Sequence, residues 1–83
     1  RPDRIVLFVR SVAELARRFP VAARALAPGG GLWIAWPKKA SGLETDLTQK
    51  HVRDFGLDRE FVDYKICAID EIWSGLQFAR RRR

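Results

Sequence analysis

Apolar residues recur along this chain with two different periods. Ile5-Val6-Leu7-Phe8-Val9 is an unbroken run, β-branched and aromatic, of strand length. Runs of this kind suit strands covered on both faces, as in parallel sheets. From Ser11 the spacing becomes helical. Val12, Leu15, Ala16, Phe19, Ala23 and Leu26 form one stripe, and Arg17, Arg18 and Arg24 lie away from most of it. Ser11 and Glu14 have the spacing of a capping box, in which hydroxyl and carboxylate each satisfy an orphan amide. Pro20 falls inside the stripe, which predicts a kink or two short helices meeting there. Pro28-Gly29-Gly30-Gly31 then ends the helix, with glycine free to take a left-handed conformation. Leu32-Trp33-Ile34-Ala35-Trp36 is a second buried strand. Strand, helix and strand joined by short links make a βαβ unit with parallel strands and a right-handed crossover.

The second half carries weaker periodicity. After the loop Trp36-Pro37-Lys38-Lys39-Ala40-Ser41-Gly42, Thr45 or Asp46 is placed to cap a helix of about ten residues. Leu47, His51 and Phe55 share a face of it, with Val52 beside them. Gly56 followed by Leu57 reads as its stop. Residues 61–69 alternate as a strand, with Val62, Tyr64, Ile66 and Ala68 on one face and Asp63, Lys65 and Cys67 on the other. Residues 70–75 turn the chain, and 76–79 return as a fourth strand antiparallel to the third. The predicted order is β-α-β-α-β-β, an α/β domain over 1–79 with a C-terminal antiparallel hairpin.

Composition narrows the picture. At 83 residues the chain is one small domain, able to bury about 60–65% of the surface its unfolded form exposes. No apolar run approaches the roughly 20 residues of a membrane span and no signal peptide is visible, so no membrane partner is expected. The single Cys67 excludes an internal disulfide and any multi-cysteine zinc site, and makes a reducing cytoplasm the default compartment. Of the net charge of +6, four charges come from Arg80, Arg81, Arg82 and Arg83; the remaining 12 basic residues face 10 acidic ones. A basic tail (80–83) on a nearly balanced body offers non-specific contact with nucleic-acid phosphates, or simply solubility. The chain contains no methionine and begins with Arg1. That start predicts a piece of a longer protein.

The element order, with Leu26-Ala27-Pro28-Gly29-Gly30-Gly31-Leu32 between helix and strand, resembles the C-terminal half of class I S-adenosylmethionine-dependent methyltransferases. More narrowly, "LFVRS.AEL", "WPKKASG" with "TDLT", and "DE.WSGL.F" look like a bacterial family of uncharacterised function related to that fold. The resemblance implies half of a Rossmann-like methyltransferase sheet, with the strands in the spatial order first, second, fourth, third. The Gly-rich first turn and the acidic residue that hold the cofactor in those enzymes belong to the other half. Gly29-Gly30-Gly31 does not substitute, because a cofactor-cradling loop follows a strand and opens a helix. No cofactor, metal ligand or catalytic residue is therefore assigned within this chain.

In an open α/β sheet, ligands bind beyond the carboxyl ends of the parallel strands. That edge collects Arg10 and Ser11 from the first strand, and Trp36, Lys38, Lys39 and Ser41 from the second. If the third strand runs parallel to them, Asp70, Glu71, Trp73 and Ser74 arrive there too. Two readings follow. Lys38 and Lys39 bind a phosphate or carboxylate against Trp36 or Trp73, or they pair with Asp70 or Glu71 while the tryptophans cover the core. His51 has no second ligand one turn away and reads as a structural or surface residue, and Cys67 as a buried structural thiol.

The first strand raises a separate question. In the predicted order Ile5-Val9 stands at the edge of the sheet, apolar, with neither lysine, proline nor bulge to blunt it. Such an edge should be paired, either with its mate in a homodimer or with a missing N-terminal segment.

Overall fold

The computed structural model describes residues 1–81. It is a small mixed α/β domain in which two helices cover one face of a four-stranded open sheet. Strand β1 (Arg4–Phe8) leads to helix α1 (Val12–Ala25), strand β2 (Gly31–Pro37), a short 3-10 turn (Lys39–Ser41), helix α2 (Gln49–Leu57), and strands β3 (Phe61–Ala68) and β4 (Trp73–Arg80). The sheet order is β1-β2-β4-β3. Strands β1 and β2 are parallel, whereas β4 is antiparallel to both β2 and β3. All three strands other than β4 therefore point the same way, in the expected spatial order.

Helix α1 forms where its caps and apolar stripe agree. Ser11 Oγ accepts from the Glu14 amide at 3.0 Å, and Glu14 Oε1 accepts from the Arg10 amide at 2.8 Å. The box thus reaches back one residue further than usual. Leu15, Phe19, Ala22 and Leu26 are buried, whereas Val12 and Ala16 from the expected stripe are exposed. Helix α1 runs through Pro20 as one element, not two short ones. Packing on the sheet through Phe19 holds the turn whose hydrogen bond proline removes.

Two glycines have duties other than those expected. Helix α1 ends at Ala25, with Leu26 already extended. Gly29, at φ +79°, is instead the third residue of a turn in which the Gly30 amide donates to the Ala27 carbonyl at 2.9 Å. Proline followed by a positive-φ glycine is the type II pattern. Gly56 does not stop α2 by a left-handed turn; it lies inside the helix, buried against Phe78. The left-handed residue is Glu60, at φ 71°, just before β3. Helix α2 is capped by Thr48, whose hydroxyl accepts from the His51 amide at 3.2 Å. Thr45 and Asp46 serve elsewhere: Thr45 Oγ1 donates to the Arg10 carbonyl, and Asp46 accepts from the Val12 amide. Both bonds tie the loop to the start of α1, so the helix is capped two to three residues later than predicted.

The core lies between helices and sheet. Leu7, Leu32, Ile34, Leu76 and Phe78 face Leu15, Phe19, Leu26 and Val52. Phe19 contacts three other rings edge-on: Phe55 at 5.2 Å, Phe61 at 5.2 Å and Phe78 at 6.1 Å. Strand β3 departs from simple alternation. A register shift between Asp63 and Lys65 makes Tyr64 an extra residue, 72% exposed, so the two halves of the strand are out of phase. Asp63 turns to the helix side and meets Arg53 of α2 at 3.1 Å. Cys67 is half-buried, not enclosed.

A Cβ on Gly56 would overlap Cε1 of Phe78, whose ring is fully buried and held by Phe19 and Phe61. Removing a helical glycine gains up to about 1 kcal/mol, but overpacking a ring that cannot move costs about 1–3 kcal/mol. Gly56→Ala is expected to lower the urea midpoint at unchanged m-value; a raised midpoint would show that α2 moves freely away from the sheet.

Candidate functional site

The carboxyl edge of the sheet is where sequence placed the ligand candidates. One shallow depression brings Trp36, Lys38, Lys39 and Ser74 together with Thr48 and Lys50 at the start of α2. Arg10 and Ser11 line a separate one with Glu44, Thr45 and Asp46. The register explains the division of the tryptophans: Trp36 pairs with Ser74, and Pro37 with Trp73. Adjacent positions point to opposite faces, so Trp36 is buried on the helix side while Trp73 lies on the other face. They cannot form one stacking wall.

Lys38 is committed within the fold. Its Nζ donates to the Asp70 carbonyl oxygen, and its backbone amide donates to the Ile72 carbonyl at 2.7 Å. The Asp70 carboxylate, the expected partner of a lysine, accepts instead from the Ile72 and Trp73 amides, each at 2.8 Å. Those two amides, Trp73 first, hold its carboxyl below the usual range, and the nearby Lys38 charge acts in the same direction. Ser41 Oγ donates to the Lys38 carbonyl at 2.6 Å. Lys50 pairs with Asp54 at 2.7 Å. The loop "WPKKASG" is thus a latch between β2 and the β3–β4 hairpin, with Lys39 and Glu71 left on the exposed surface. His51 is also exposed. Among the described residues no group of three metal-ligating side chains occurs.

The outer edge of β1 presents different chemistry. The Asp3 carbonyl and the Val9 amide bond to Gly31 and Ala35 on β2, each at 2.9 Å. Backbone groups alternate sides along a strand, so the odd-numbered residues are used by β2 and those of Arg4, Val6 and Phe8 point outward. Among the described residues only the Phe8 carbonyl is covered, by Nη1 of Arg18 at 2.7 Å. Below this edge, on the helix side, Ile5, Leu7, Val21, Ala22 and Ala25 line a groove rimmed by Arg17 and Arg18. Val21, on the outer side of the groove, is 60% exposed. Arg18 also pairs with Glu14 at 3.0 Å, and Arg17 stands on the exposed surface.

The uncovered sheet face is continuous with that edge. Val6 and Phe8 are 47% and 43% exposed there. Phe8 meets Trp73 edge-on at 5.0 Å, which leaves Ala35 of β2 fully buried beneath them. Ile69 lies over Gly75 and beside Trp33. Sequence reasoning placed the unpaired edge correctly but missed the groove. The signal was present in Glu14 and Arg18, four apart on α1, and in Val21 outside the apolar stripe.

The arginine cluster is partly structural. Arg80 ends β4, with Nη2 donating to the Ala23 carbonyl at 2.7 Å and its guanidinium 5.0 Å from the Phe61 ring. The Arg81 amide donates to the Glu60 carbonyl at 2.7 Å. Arg82 and Arg83 lie outside the described residues. Among those described, Arg24 and Arg1 reach the same depression as Arg80 and Arg81, a convergence across the whole length of the chain.

No protein-family model, curated protein or solved structure matches this chain. Its functional reading therefore rests on its own residues. No helix among the described residues is long and apolar enough to cross a membrane.

Replacing Asp70 with alanine removes both acceptor bonds at the hairpin turn. A carboxyl held low stabilises the fold above its unfolded pKa, about 4, and that stabilisation is lost as pH falls through the lower folded value. The difference in thermal midpoint between parent and Asp70→Ala is expected to be larger at pH 7 than at pH 2. An equal difference at both would mean that the charge is immaterial to the turn.

Proposed function

We propose that this chain is a protein-interaction domain that works by accepting an extended segment along β1. One observation carries the reading: the outward amides and carbonyls of Arg4 and Val6, and the Phe8 amide, have no partner among the described residues, beside a ready apolar groove. Adding a strand satisfies these groups with backbone bonds, while alternate side chains find the groove below and Val6 and Phe8 above. The opposite edge of the sheet is protected. Strand β3 carries Asp63 and Lys65 and a bulge at Tyr64, devices that discourage pairing. One edge is closed to partners, and the other is open.

The alternative is that the chain forms the C-terminal part of a methyltransferase-like enzyme. The order β1-β2-β4-β3, with β4 reversed, supports it. That reading also fills the β1 edge, with a strand of the same protein as occupant. Self-association through β1 would fill it with a second copy.

Proline at position 6 separates strand addition from mere surface stickiness. The Val6 amide points away from β2, and proline is tolerated on an edge strand where its missing N–H would face outward. With the heptapeptide Val-Gln-Val-Gln-Val-Gln-Val at millimolar concentration, amide exchange at Arg4, Val6 and Phe8 is expected to slow, while Ile5 and Leu7 stay as they were. Val6→Pro should keep the fold and lose this response. Uniform slowing, or none, would sink the proposal.

A further inference from the structure

We infer that the segment received along β1 is acidic and alternating, with carboxylate side chains directed at the groove and apolar ones at the open sheet face. This inference rests on the strand-addition reading above and specifies its partner. Arg4 lies in β1, Arg10 just beyond it, and Arg17 and Arg18 on the groove rim. Four acids are nearby, and Glu44 and Asp46 share the depression of Arg10. Asp3 precedes the strand, and Glu14 is already engaged by the Arg10 amide and by Arg18, which hold its carboxyl low. Arg10 is thus balanced by acids, and the net positive charge lies at the groove rim, where Arg17 and Arg18 face the one carboxylate of Glu14.

The groove selects a side chain as well as a charge. Its floor is Ile5, Leu7, Ala22 and Ala25, and its rim is guanidinium. A glutamate entering from an added strand lays its methylenes on the apolar floor and delivers its carboxylate to the rim. Arginine's planar fork suits that carboxylate. Residues on the alternate face of the same strand lie beside Val6 and Phe8, whose exposure calls for β-branched or aromatic neighbours.

The same charges argue against a second copy as the occupant. Pairing β1 with its own mate across a twofold axis extends the sheet with both sets of helices on one side, which brings the two groove rims of Arg17 and Arg18 to one seam. Like charges opposed across paired strands are destabilising. Pairing β1 with the β3 edge of another copy meets the Tyr64 bulge and Lys65.

The test compares three heptapeptides of the pattern Val-X-Val-X-Val-X-Val, with X as Glu, Gln or Lys, by fluorescence anisotropy against the whole chain. At 50 mM salt the Glu peptide is expected to bind about tenfold more tightly than the Gln peptide, and the Lys peptide more weakly than either. At 1 M salt, where the screening length is about 3 Å, the preference should shrink to about twofold or less. Arg17 is exposed and makes no hydrogen bond or ion pair among the described residues, so Arg17→Glu should keep the fold, weaken the Glu peptide and strengthen the Lys peptide. Equal affinity of all three peptides, each lost in Val6→Pro, would leave strand addition standing and overturn the acidic partner. Failure of every peptide would overturn strand addition itself. Sedimentation as a dimer that Val6→Pro converts to monomer would make the occupant a second copy and overturn the inference too.

Discussion

Phe19 sits where both helices and the β3–β4 hairpin meet, and its edge-on contacts with Phe55, Phe61 and Phe78 tie three parts of the chain into one core. Large aromatic rings bury the most apolar area per residue and prefer this geometry. The contact requires both helices on the same face of the sheet. Gly56 lets α2 come close enough for the Phe78 ring to fit beneath it. Everything else about the molecule follows from that one-sided layering. An 83-residue chain has too few apolar residues to cover both faces of four strands, and this one spends them on the helix side.

The other face and the β1 edge are the consequence. Phe8 and Trp73 close over Ala35 and shield the middle of the sheet, but Val6 and Phe8 stay partly in water. At the rim of the same face β1 keeps unpaired backbone groups, whereas β3 is protected by charge and a bulge. Arg18 links the two problems. It covers the Phe8 carbonyl and pairs with Glu14, so it shortens the open edge without closing it. Edge and core are therefore aspects of one arrangement, since covering one face leaves the other face and its edge uncovered.

Much of this was readable from residue order. The β-branched run at Ile5, the Ser11–Glu14 spacing and the Pro-Gly turn placed β1, α1 and the start of β2, and the spatial strand order followed from the resemblance and the final hairpin. Local errors share one cause. Thr45 and Asp46 are good caps by type, but their side chains bond to Arg10 and Val12, more than thirty residues earlier in the chain. Gly56 looks like a helix stop because nothing nearby in sequence announces Phe78. The alternation of β3 reads straight through Tyr64, since the bulge there has no residue signature. The carboxyl-edge candidates illustrate the same limit. Lys38 and Asp70 do meet, but through the Asp70 carbonyl, and the carboxylate turns to its own hairpin amides.

Sequence by itself determined the elements and their type, because hydrophobic period and turn chemistry are local properties. It also determined that arginine outnumbers acid at both ends of the chain. Tertiary structure decided what those residues face. Trp36 and Trp73 lie near the same loop yet point to opposite faces, because they occupy adjacent register positions on paired strands. The groove under β1 exists because residues from a strand and a helix, ten or more positions apart, are brought together. Which groups stay unpaired depends on what the rest of the chain has already satisfied, and only the assembled fold decides that.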